Sequence, residues 1–248
     1  MKTRFVQISD CHLYADKNTR HHGVNVFDNL RNVLKKIKQL TDIDFIIFTG
    51  DLTQDHSDAS YQNFVEALEL EKITLPLYFL AGNHDDPQLF SQFFIAPPFN
   101  DANIIETLSW QILLVDSKSD TPSGYVSIAE CERLLSLVDN KKNQIIFMHH
   151  HIKDVGYFID KHGLKNQQDF YATLSEIKNL KALACGHVHN SLALSVTIMD
   201  KNIPFFTCPA TSIQFAKTTK LDNSGKPAGF RLFDLYDDGA VESQSIFL

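Results

Sequence analysis

The chain has 248 residues, of which 44% are hydrophobic, and this apolar content suffices for a sizeable core without a disulfide or a structural metal. We therefore expect one domain spanning residues 1–248. The net charge of −7 disfavours nucleic acid as a partner, because nonspecific nucleic-acid binding depends on clustered Lys and Arg. There is no signal-peptide pattern and no apolar run of membrane-spanning length, so we expect a cytoplasmic protein without a membrane partner.

The first part of the chain alternates strand and helix patterns. Short apolar runs predict buried strands at 5–8, 45–48, 77–80, 111–115, 144–148 and 182–185. Apolar residues three or four positions apart predict helices at about 26–40, 58–70, 87–94, 127–138 and 169–177. Ser57 or Asp58 is a predicted helix cap, Pro87 suits a first turn, and Ser127 with Glu130 resembles a capping box.

The last part of the chain changes character. Strand patterns at 191–198, 203–207, 230–236 and 241–247 follow one another without a helical pattern between them. This change predicts a second, more antiparallel sheet, and the polar stretch 221–228 predicts an exposed loop. The four cysteines are scattered without a CxxC pair, so we expect reduced thiols.

Polar groups stand at or just past the ends of five predicted strands. They are Asp10-Cys11-His12, Gly50-Asp51, Gly82-Asn83-His84-Asp85, His149-His150-His151 and Gly186-His187-Val188-His189. Because open α/β sheets bind ligands at the carboxyl ends of their strands, we expect these groups to meet. Carboxylate, amide and imidazole ligands suit iron, manganese, zinc or cobalt, and an aspartate such as Asp51 can bridge two cations about 3.5–4 Å apart through its two oxygens.

In this order, the five motifs resemble those of the calcineurin-like metallophosphoesterases: DxH, GD, GNHD, a strand-end His and GHxH. Residues 13–16, 23–25, 49–55 and 209–215 are similar to the bacterial class III cyclic-AMP phosphodiesterases, and this closer similarity covers nearly the whole chain. The resemblance implies an α/β fold in which two mixed sheets form a four-layer α/β/β/α sandwich, the metallo-dependent phosphatase fold.

The resemblance also implies residue roles. The implied metal ligands are Asp10, His12 and His189 for a first divalent ion, Asn83, His149 and His187 for a second, and Asp51 as the bridge. Iron or manganese is expected, with zinc or cobalt as alternatives. The implied catalytic residues are His84 and Asn83, and the implied substrate-binding residues are His12, Asn83, His84 and His189. His150 and His151 are then either supporting residues behind the ligands or exposed.

The implied reaction is hydrolysis of 3′,5′-cyclic AMP to 5′-AMP by in-line attack of a hydroxide that bridges the metals. The expected partner is a small cyclic nucleotide, and the expected state is a monomer or homodimer. Alternatives are a phosphodiesterase or phosphatase of the same fold acting on glycerophosphodiesters, 2′,3′-cyclic nucleotides or nucleoside polyphosphates, or a non-catalytic scaffold. A scaffold is disfavoured because all seven implied ligands and His84 are present.

Two residues depart from the family pattern. Gln54 stands where related protein phosphatases have an Asp that pairs with the counterpart of His84, and an amide stabilises an imidazolium less than a carboxylate does. Ile152 stands where the bacterial branch usually has Pro, which alters the entry to segment 153–166 beside the expected substrate pocket. Outside the motifs, we expect His21, His22, His56 and His162 at the surface, although the resemblance places the loop of His21 and His22 near the pocket mouth. We expect Asp116 to end a strand.

Overall fold

The computed structural model describes residues 2–248. Two six-stranded sheets pack face to face, and helices cover the outer face of each sheet. Parallel and antiparallel pairs occur in both sheets, so the predicted α/β/β/α sandwich of two mixed sheets is confirmed. Within the described residues, no helix is both long enough and apolar enough to cross a bilayer.

The elements follow the predicted order, with several short additions. The strands are β1 (Lys2–Ile8), β2 (Arg20–His21), β3 (Val24–Asn25), β4 (Phe45–Phe48), β5 (Leu77–Phe79), β6 (Phe99–Asn100), β7 (Ile104–Glu106), β8 (Trp110–Leu114), β9 (Asn143–Met148), β10 (Leu180–Cys185), β11 (Leu192–Ile198), β12 (Lys201–Thr207), β13 (Gly229–Tyr236) and β14 (Val241–Phe247). The helices are α1 (Val26–Lys38), α2 (Asp58–Leu70), α3 (Pro87–Phe93), α4 (Ile128–Leu137) and α5 (Gln167–Ser175), with a short 3₁₀ helix at Phe158–His162. The unpredicted strands have only two or three residues, too few to show a period.

The first sheet has the order β14-β13-β1-β4-β5-β6, and β1, β4, β5 and β6 are parallel. The second sheet has the order β11-β12-β10-β9-β8-β7, and its four central strands are parallel. Strands β2 and β3 form a separate hairpin. The carboxyl ends of the parallel strands in both sheets carry the five polar groups.

The tail strands do not form a sheet of their own, so that prediction is wrong. The hairpin β11-β12 joins the second sheet beside β10, whereas the hairpin β13-β14 joins the first sheet beside β1. Seven of the eight residues of β13 are buried, and Phe233 and Leu235 enter the layer between the sheets. A period of two in the sequence indicates a strand, but it does not show which sheet the strand joins. That depends on the surfaces against which both faces of the strand become buried.

Aromatic rings fill the layer between the two sheets. The ring of Phe5 stacks between Phe45 and Phe233, at centroid distances of 4.8 and 5.3 Å, and meets Phe147 of the second sheet edge-on at 5.7 Å. Because successive strand side chains point to opposite faces, β1 also sends Val6 outward, into the core beneath α1 and α2. The four cysteines are free thiols.

Helix starts agree with the predicted caps, and only the capping box at α4 is incomplete. Ser57 caps α2, and Pro87 occupies the first turn of α3. At α4, the Ser127 hydroxyl accepts a hydrogen bond from the Glu130 N–H at 3.1 Å. The Glu130 carboxylate, however, accepts from Arg133 and from the Asp116 N–H, so only half of the predicted capping box forms. The guanidinium of Arg133 is a stronger donor than the Ser127 amide.

Candidate metal centre

All seven predicted metal ligands meet at one edge of the sandwich. Asp10 and His12 follow β1, Asp51 follows β4 and Asn83 follows β5, all in the first sheet. The second sheet contributes His149 after β9, and His187 and His189 after β10. All but Asn83 are less than 5% exposed. The site therefore lies between the two sheets, and each sheet supplies part of it.

One group consists of Asp10, His12 and His189. The Nε2 atoms of His12 and His189 lie 3.1 Å apart, and His189 Nε2 lies 3.4 Å from Asp10 Oδ1. One ligand atom from each residue falls within 4.8 Å of the others. This spacing suits three ligands of one cation.

A second group is centred on His149. Its Nε2 atom lies 3.1 Å from Asn83 Oδ1 and 3.1 Å from His187 Nδ1. Asp51 joins the two groups, because its Oδ2 lies 3.3 Å from His149 Nε2 and 3.7 Å from His12 Nε2. The other oxygen, Oδ1, accepts the His84 N–H at 2.9 Å. The structure thus presents one oxygen of Asp51 to both groups, rather than the two oxygens expected.

Backbone carbonyls determine which nitrogen of each imidazole faces the site. His149 Nδ1 donates to Thr49 O at 2.7 Å, His189 Nδ1 donates to Ile213 O at 2.9 Å, and His187 Nε2 donates to His162 O at 3.1 Å. A carbonyl only accepts, so the opposite nitrogen of each neutral ring carries a lone pair directed inward. Lone pairs of His149 and His187 that face each other at 3.1 Å repel unless a proton or a metal cation lies between them. The residues present therefore fit divalent cations.

Burial and local charge act on these groups in different directions. Burial lowers the pKa of His12 and of His187, which keeps both rings neutral. Burial acts to raise the pKa of Asp51, but the adjacent His149 outweighs it, so this pKa lies well below its usual value. Burial acts to lower the pKa of His149, yet Asp51 outweighs it and raises that pKa to about 9. Asp51 is therefore an anion that favours a proton on His149, and a divalent cation would replace that proton.

Five of the seven predicted ligands have left-handed backbone conformations. They are Asp10 (φ 58°), His12 (48°), Asp51 (57°), His187 (62°) and His189 (49°). Residues other than glycine rarely adopt this region, and such strain concentrates at functional sites. Asp85 supports one of these turns, since its carboxylate accepts the Asp51 and Gly82 N–H groups at 2.7 and 2.8 Å. The sequence motifs did not show these conformations.

The ring of His84 stands beside the first group, 4.9 Å from the ring of His12. Its Nδ1 is buried and has no hydrogen-bond partner within residues 2–248. Gln54 does not pair with His84; its Oε1 lies 2.8 Å from His12 Nδ1 instead. His56, predicted at the surface, is exposed but has a partner: its Nδ1 donates to the His84 carbonyl at 2.9 Å, and the two rings lie parallel at 5.7 Å.

Several other histidines also lie at the site. His21 is buried, with its ring parallel to His12 at 5.4 Å and its Nδ1 3.0 Å from the Tyr14 hydroxyl, so the prediction of a solvated residue is wrong. The β2-β3 hairpin turns this ring inward, and so short a hairpin has no sequence period. His150 and His151 are both buried, and His150 Nδ1 lies 2.8 Å from the Ser117 hydroxyl.

A cavity of about 440 Å³ opens over the site. Predicted ligands and His84 form its floor, and segment 153–166 supplies one wall through Phe158, Ile159, Lys161 and His162. The volume falls in the range of pockets for small organic ligands. A larger cavity of about 670 Å³, between α3 and α4, contains none of the predicted site residues.

Comparison with known proteins agrees with this geometry. Residues 3–191 match the family model described as calcineurin-like phosphoesterase. A protein from Colwellia psychrerythraea named "probable cyclic nucleotide phosphodiesterase" is 47% identical over 98% of this chain and 94% of its own length. The 3′,5′-cyclic adenosine monophosphate phosphodiesterase CpdA of Escherichia coli K12 is 31% identical over 98% of this chain and 89% of its own.

Solved structures show the same fold at low sequence identity. A dimetal phosphatase from Danio rerio superposes with a TM-score of 0.69 and 14% identity, covering 99% of this chain and 98% of its own. The fold, the matched family model and these relatives together show that the chain belongs to the calcineurin-like phosphoesterase family.

Proposed function

We propose that this protein is a dinuclear metal-dependent phosphodiesterase that hydrolyses 3′,5′-cyclic AMP to 5′-AMP. The observation that carries the proposal is the pair of ligand groups that share Asp51 Oδ2. The relatives named as cyclic nucleotide phosphodiesterases, at 47% and 31% identity, support the substrate class. The proposal includes a cytoplasmic location, a small-molecule cyclic nucleotide as the partner, and a monomer or homodimer.

In this proposal, Asp10, His12 and His189 hold one cation, and Asn83, His149 and His187 hold the other. Asp51 is shared by both. Iron and manganese are the preferred ions and zinc and cobalt the alternatives, because the site offers only oxygen and nitrogen donors. When bound, such a pair supplies a nucleophilic water and positive charge opposite the phosphoryl oxygens.

The chain's own residues orient the phosphate. Asn83 Oδ1 faces His149, which leaves the amide N–H₂ free to donate to a phosphoryl oxygen. His84 lines the cavity beside Asn83 and contacts the same phosphate in the proposal. Hydrolysis adds the water oxygen to phosphorus and a proton to the 3′ oxygen as that P–O bond breaks, and His84 is the candidate proton donor.

The cavity wall offers room and chemistry for the nucleoside. Phe158, Phe215 and Leu221 supply apolar surface, while Lys161 and Lys220 supply positive charge at the mouth. An apolar wall with a few polar groups is typical of small-molecule sites. Because the ligand groups and this wall line one cavity, the proposal assigns the phosphate to the ligand groups and the base to the wall.

A substrate panel tests the proposal. Protein loaded with manganese or iron is assayed against 3′,5′-cyclic AMP, 3′,5′-cyclic GMP, 2′,3′-cyclic AMP and a glycerophosphodiester, with chelated protein as the control. We expect two metals per chain and the highest kcat/KM with 3′,5′-cyclic AMP. A preference for another diester would overturn the substrate assignment, and metal binding without turnover on any diester would favour the scaffold alternative.

A further inference from the structure

We propose that Asp160 is a positioning residue for the second cation site, because it holds the short helix whose His162 carbonyl orients His187. The inference rests on the metal roles proposed above. Asp160 lies outside the five motifs, and its recorded partners are His151 and three backbone N–H groups. It thus acts through the fold of segment 153–163 rather than by touching a ligand.

The carboxylate of Asp160 organises the turn that precedes the 3₁₀ helix. Its Oδ1 accepts the Val155 N–H at 2.9 Å, and its Oδ2 accepts the Gly156 and Tyr157 N–H groups at 2.8 and 3.2 Å. Three consecutive backbone donors therefore converge on one side chain. Without that acceptor, the three donors would need water or a new backbone conformation.

The same carboxylate reaches the buried ring of His151. Asp160 Oδ1 lies 3.3 Å from His151 Nε2, and neither ring nitrogen of His151 makes another polar contact in residues 2–248. The His151 ring lies over that of His187, at 5.5 Å between centroids and 23° between planes. His151 therefore packs between Asp160 and a predicted ligand. Gly163 allows this packing, since a Cβ there would come within 3.0 Å of His151 Nε2.

The end of the 3₁₀ helix supplies the contact that matters for the cation. His162 O accepts the Nε2–H of His187 at 3.1 Å, and this bond turns Nδ1 of His187 toward His149. Movement of the segment would remove both this carbonyl and the ring packing from His187. Loss of such an outer partner typically weakens metal affinity by about 10–100-fold.

The position of Asp160 also explains why the second site should respond more strongly than the first. His187 belongs to the second group, while the first group takes its support from Ile213 O and Gln54. Neither support belongs to segment 153–163, but Ile159 packs on Ile213, and Phe158 packs on Phe215, whose ring stacks on His189. A defect in that segment removes a direct hydrogen bond from the second group only, so it should weaken the second cation more than the first.

The test is calorimetric titration of metal-free protein with manganese at neutral pH. We expect two binding events in the wild type, and in Asp160→Asn an affinity about 10–100-fold weaker for one of them, with a smaller change for the other. Asp160→Ala should show the larger loss, because an asparagine keeps one oxygen acceptor and alanine keeps none. Asp154→Asn is the matched control, since Asp154 is an exposed carboxylate of the same segment, and both of its affinities should match the wild type.

A second measurement separates positioning from a general loss of structure. The imidazole N–H proton of His187, bonded to His162 O in the wild type, should lose its protected NMR signal in Asp160→Asn while the Tm remains close to that of the wild type. Equal weakening of both sites, or wild-type affinity for both, would overturn the role of Asp160 and leave the metal centre standing. A wild-type protein that binds no cation would overturn the proposed function together with this inference.

Discussion

Four predicted imidazole ligands have one nitrogen held from outside the centre and the other directed into it. The outer partners are the carbonyls of Thr49, Ile213 and His162, and the side chain of Gln54. Such partners choose the tautomer and limit ring rotation, so the lone pairs are aimed before a cation arrives. Asp51 then supplies the negative charge common to both groups.

The shared role of Asp51 leads to a first prediction. Asp51→Asn keeps the size of the side chain but removes its charge. Both cations should then bind at least about 100-fold more weakly, which exceeds the usual effect of removing a residue that supports a ligand. Metal analysis after desalting measures this. Asp116→Asn is the control and should retain both metals, because Asp116 lies two residues past strand β8 and belongs to none of the ligand groups. Full metal content in Asp51→Asn would contradict the bridging role.

His56 leads to a second prediction, because it holds the backbone and covers the ring of His84. His56→Ala removes one hydrogen bond worth about 0.5–1.5 kcal/mol, which corresponds to a fall in kcat of roughly 2–12-fold. The metal content should not change. His56→Gln can still donate to the His84 carbonyl and should recover most of the rate. Steady-state kinetics and metal analysis measure the two quantities. If His56 only stabilised the fold, the metal content would fall in His56→Ala while kcat per metal-loaded protein stayed at the wild-type value.

At the scale of elements, the site depends on how closely the strand-end turns approach one another. A Cβ at Gly186 would lie 3.1 Å from Asp10 Oδ2 and from Thr49 O, and nearer still to the Ser9 hydroxyl. The turns after β1, β4 and β10 therefore meet at a residue without a side chain. This contact explains the glycine of the GHxH motif by packing, independently of metal chemistry.

Gly186→Ala should consequently destabilise the protein by about 1–3 kcal/mol, the usual cost of overpacking. Ser9 Oγ is the nearest obstacle, so adding Ser9→Ala should restore part of the loss and not all of it, since two 3.1 Å contacts remain. Urea unfolding of both single variants and the double variant measures the coupling. Additive losses in the double variant would contradict this packing account.

The pairing of β1 with β13 makes a contribution to stability that depends on pH. Arg4 and Asp234 are direct cross-strand neighbours, and the guanidinium donates to both carboxylate oxygens at 2.7 Å. The hydrogen bond from Arg4, aided by Lys2, lowers the pKa of Asp234. Its contribution to stability is present above the unfolded pKa of about 3.9 and is lost as the pH falls through the folded value.

Asp234→Asn should therefore lower the free energy of unfolding by up to about 1 kcal/mol at pH 7, a value limited by solvent screening. The difference between variant and wild type should shrink as the solution is acidified below pH 4. Denaturant unfolding across pH 2–8 measures it. A difference that grows on acidification would show that the carboxylate is not stabilised by its partners.

At the scale of the whole molecule, Arg231 ties the two sheets together. This residue of β13 is 2% exposed, and its guanidinium donates to the carbonyls of Thr207 and Leu192 in the other sheet at 3.0 Å. It also donates to the hydroxyls of Ser191 and Ser243. All of these recorded hydrogen-bond partners are neutral, and burial lowers the pKa of the guanidinium. Four neutral acceptors thus solvate a buried cation at the junction of the tail hairpins.

Arg231→Met should lower the free energy of unfolding by at least about 2 kcal/mol, because two buried carbonyls lose their donor at about 1–3 kcal/mol each. The free energy of unfolding of Arg231→Lys should lie between those of the wild type and Arg231→Met, since a single ammonium cannot reach all four acceptors. Arg20→Met, at an exposed arginine, is the control and should be near neutral. An Arg231→Met variant with the same free energy of unfolding as the wild type would show that the two sheets pack without these hydrogen bonds.

The sequence by itself determined the main helices and the long strands, because their apolar periods extend over enough residues to be read locally. It also determined which residues could form the site, since Asp10, Asp51, Asn83, His149 and His187 all stand at strand ends. Parallel strands present their carboxyl ends at one edge, which explains convergence within each sheet, whereas the packing of the two sheets brings the two halves together. The resemblance supplied the division into two metal groups, and the geometry is consistent with that division.

The tertiary structure alone decided which sheet each tail hairpin joins, that His21 turns inward, and that one oxygen of Asp51 faces both groups. It also revealed the His162 carbonyl behind His187, and backbone carbonyls have no sequence signature. These features depend on surfaces brought together from distant parts of the chain. The free energy of burying them jointly, rather than any local pattern, selects the arrangement.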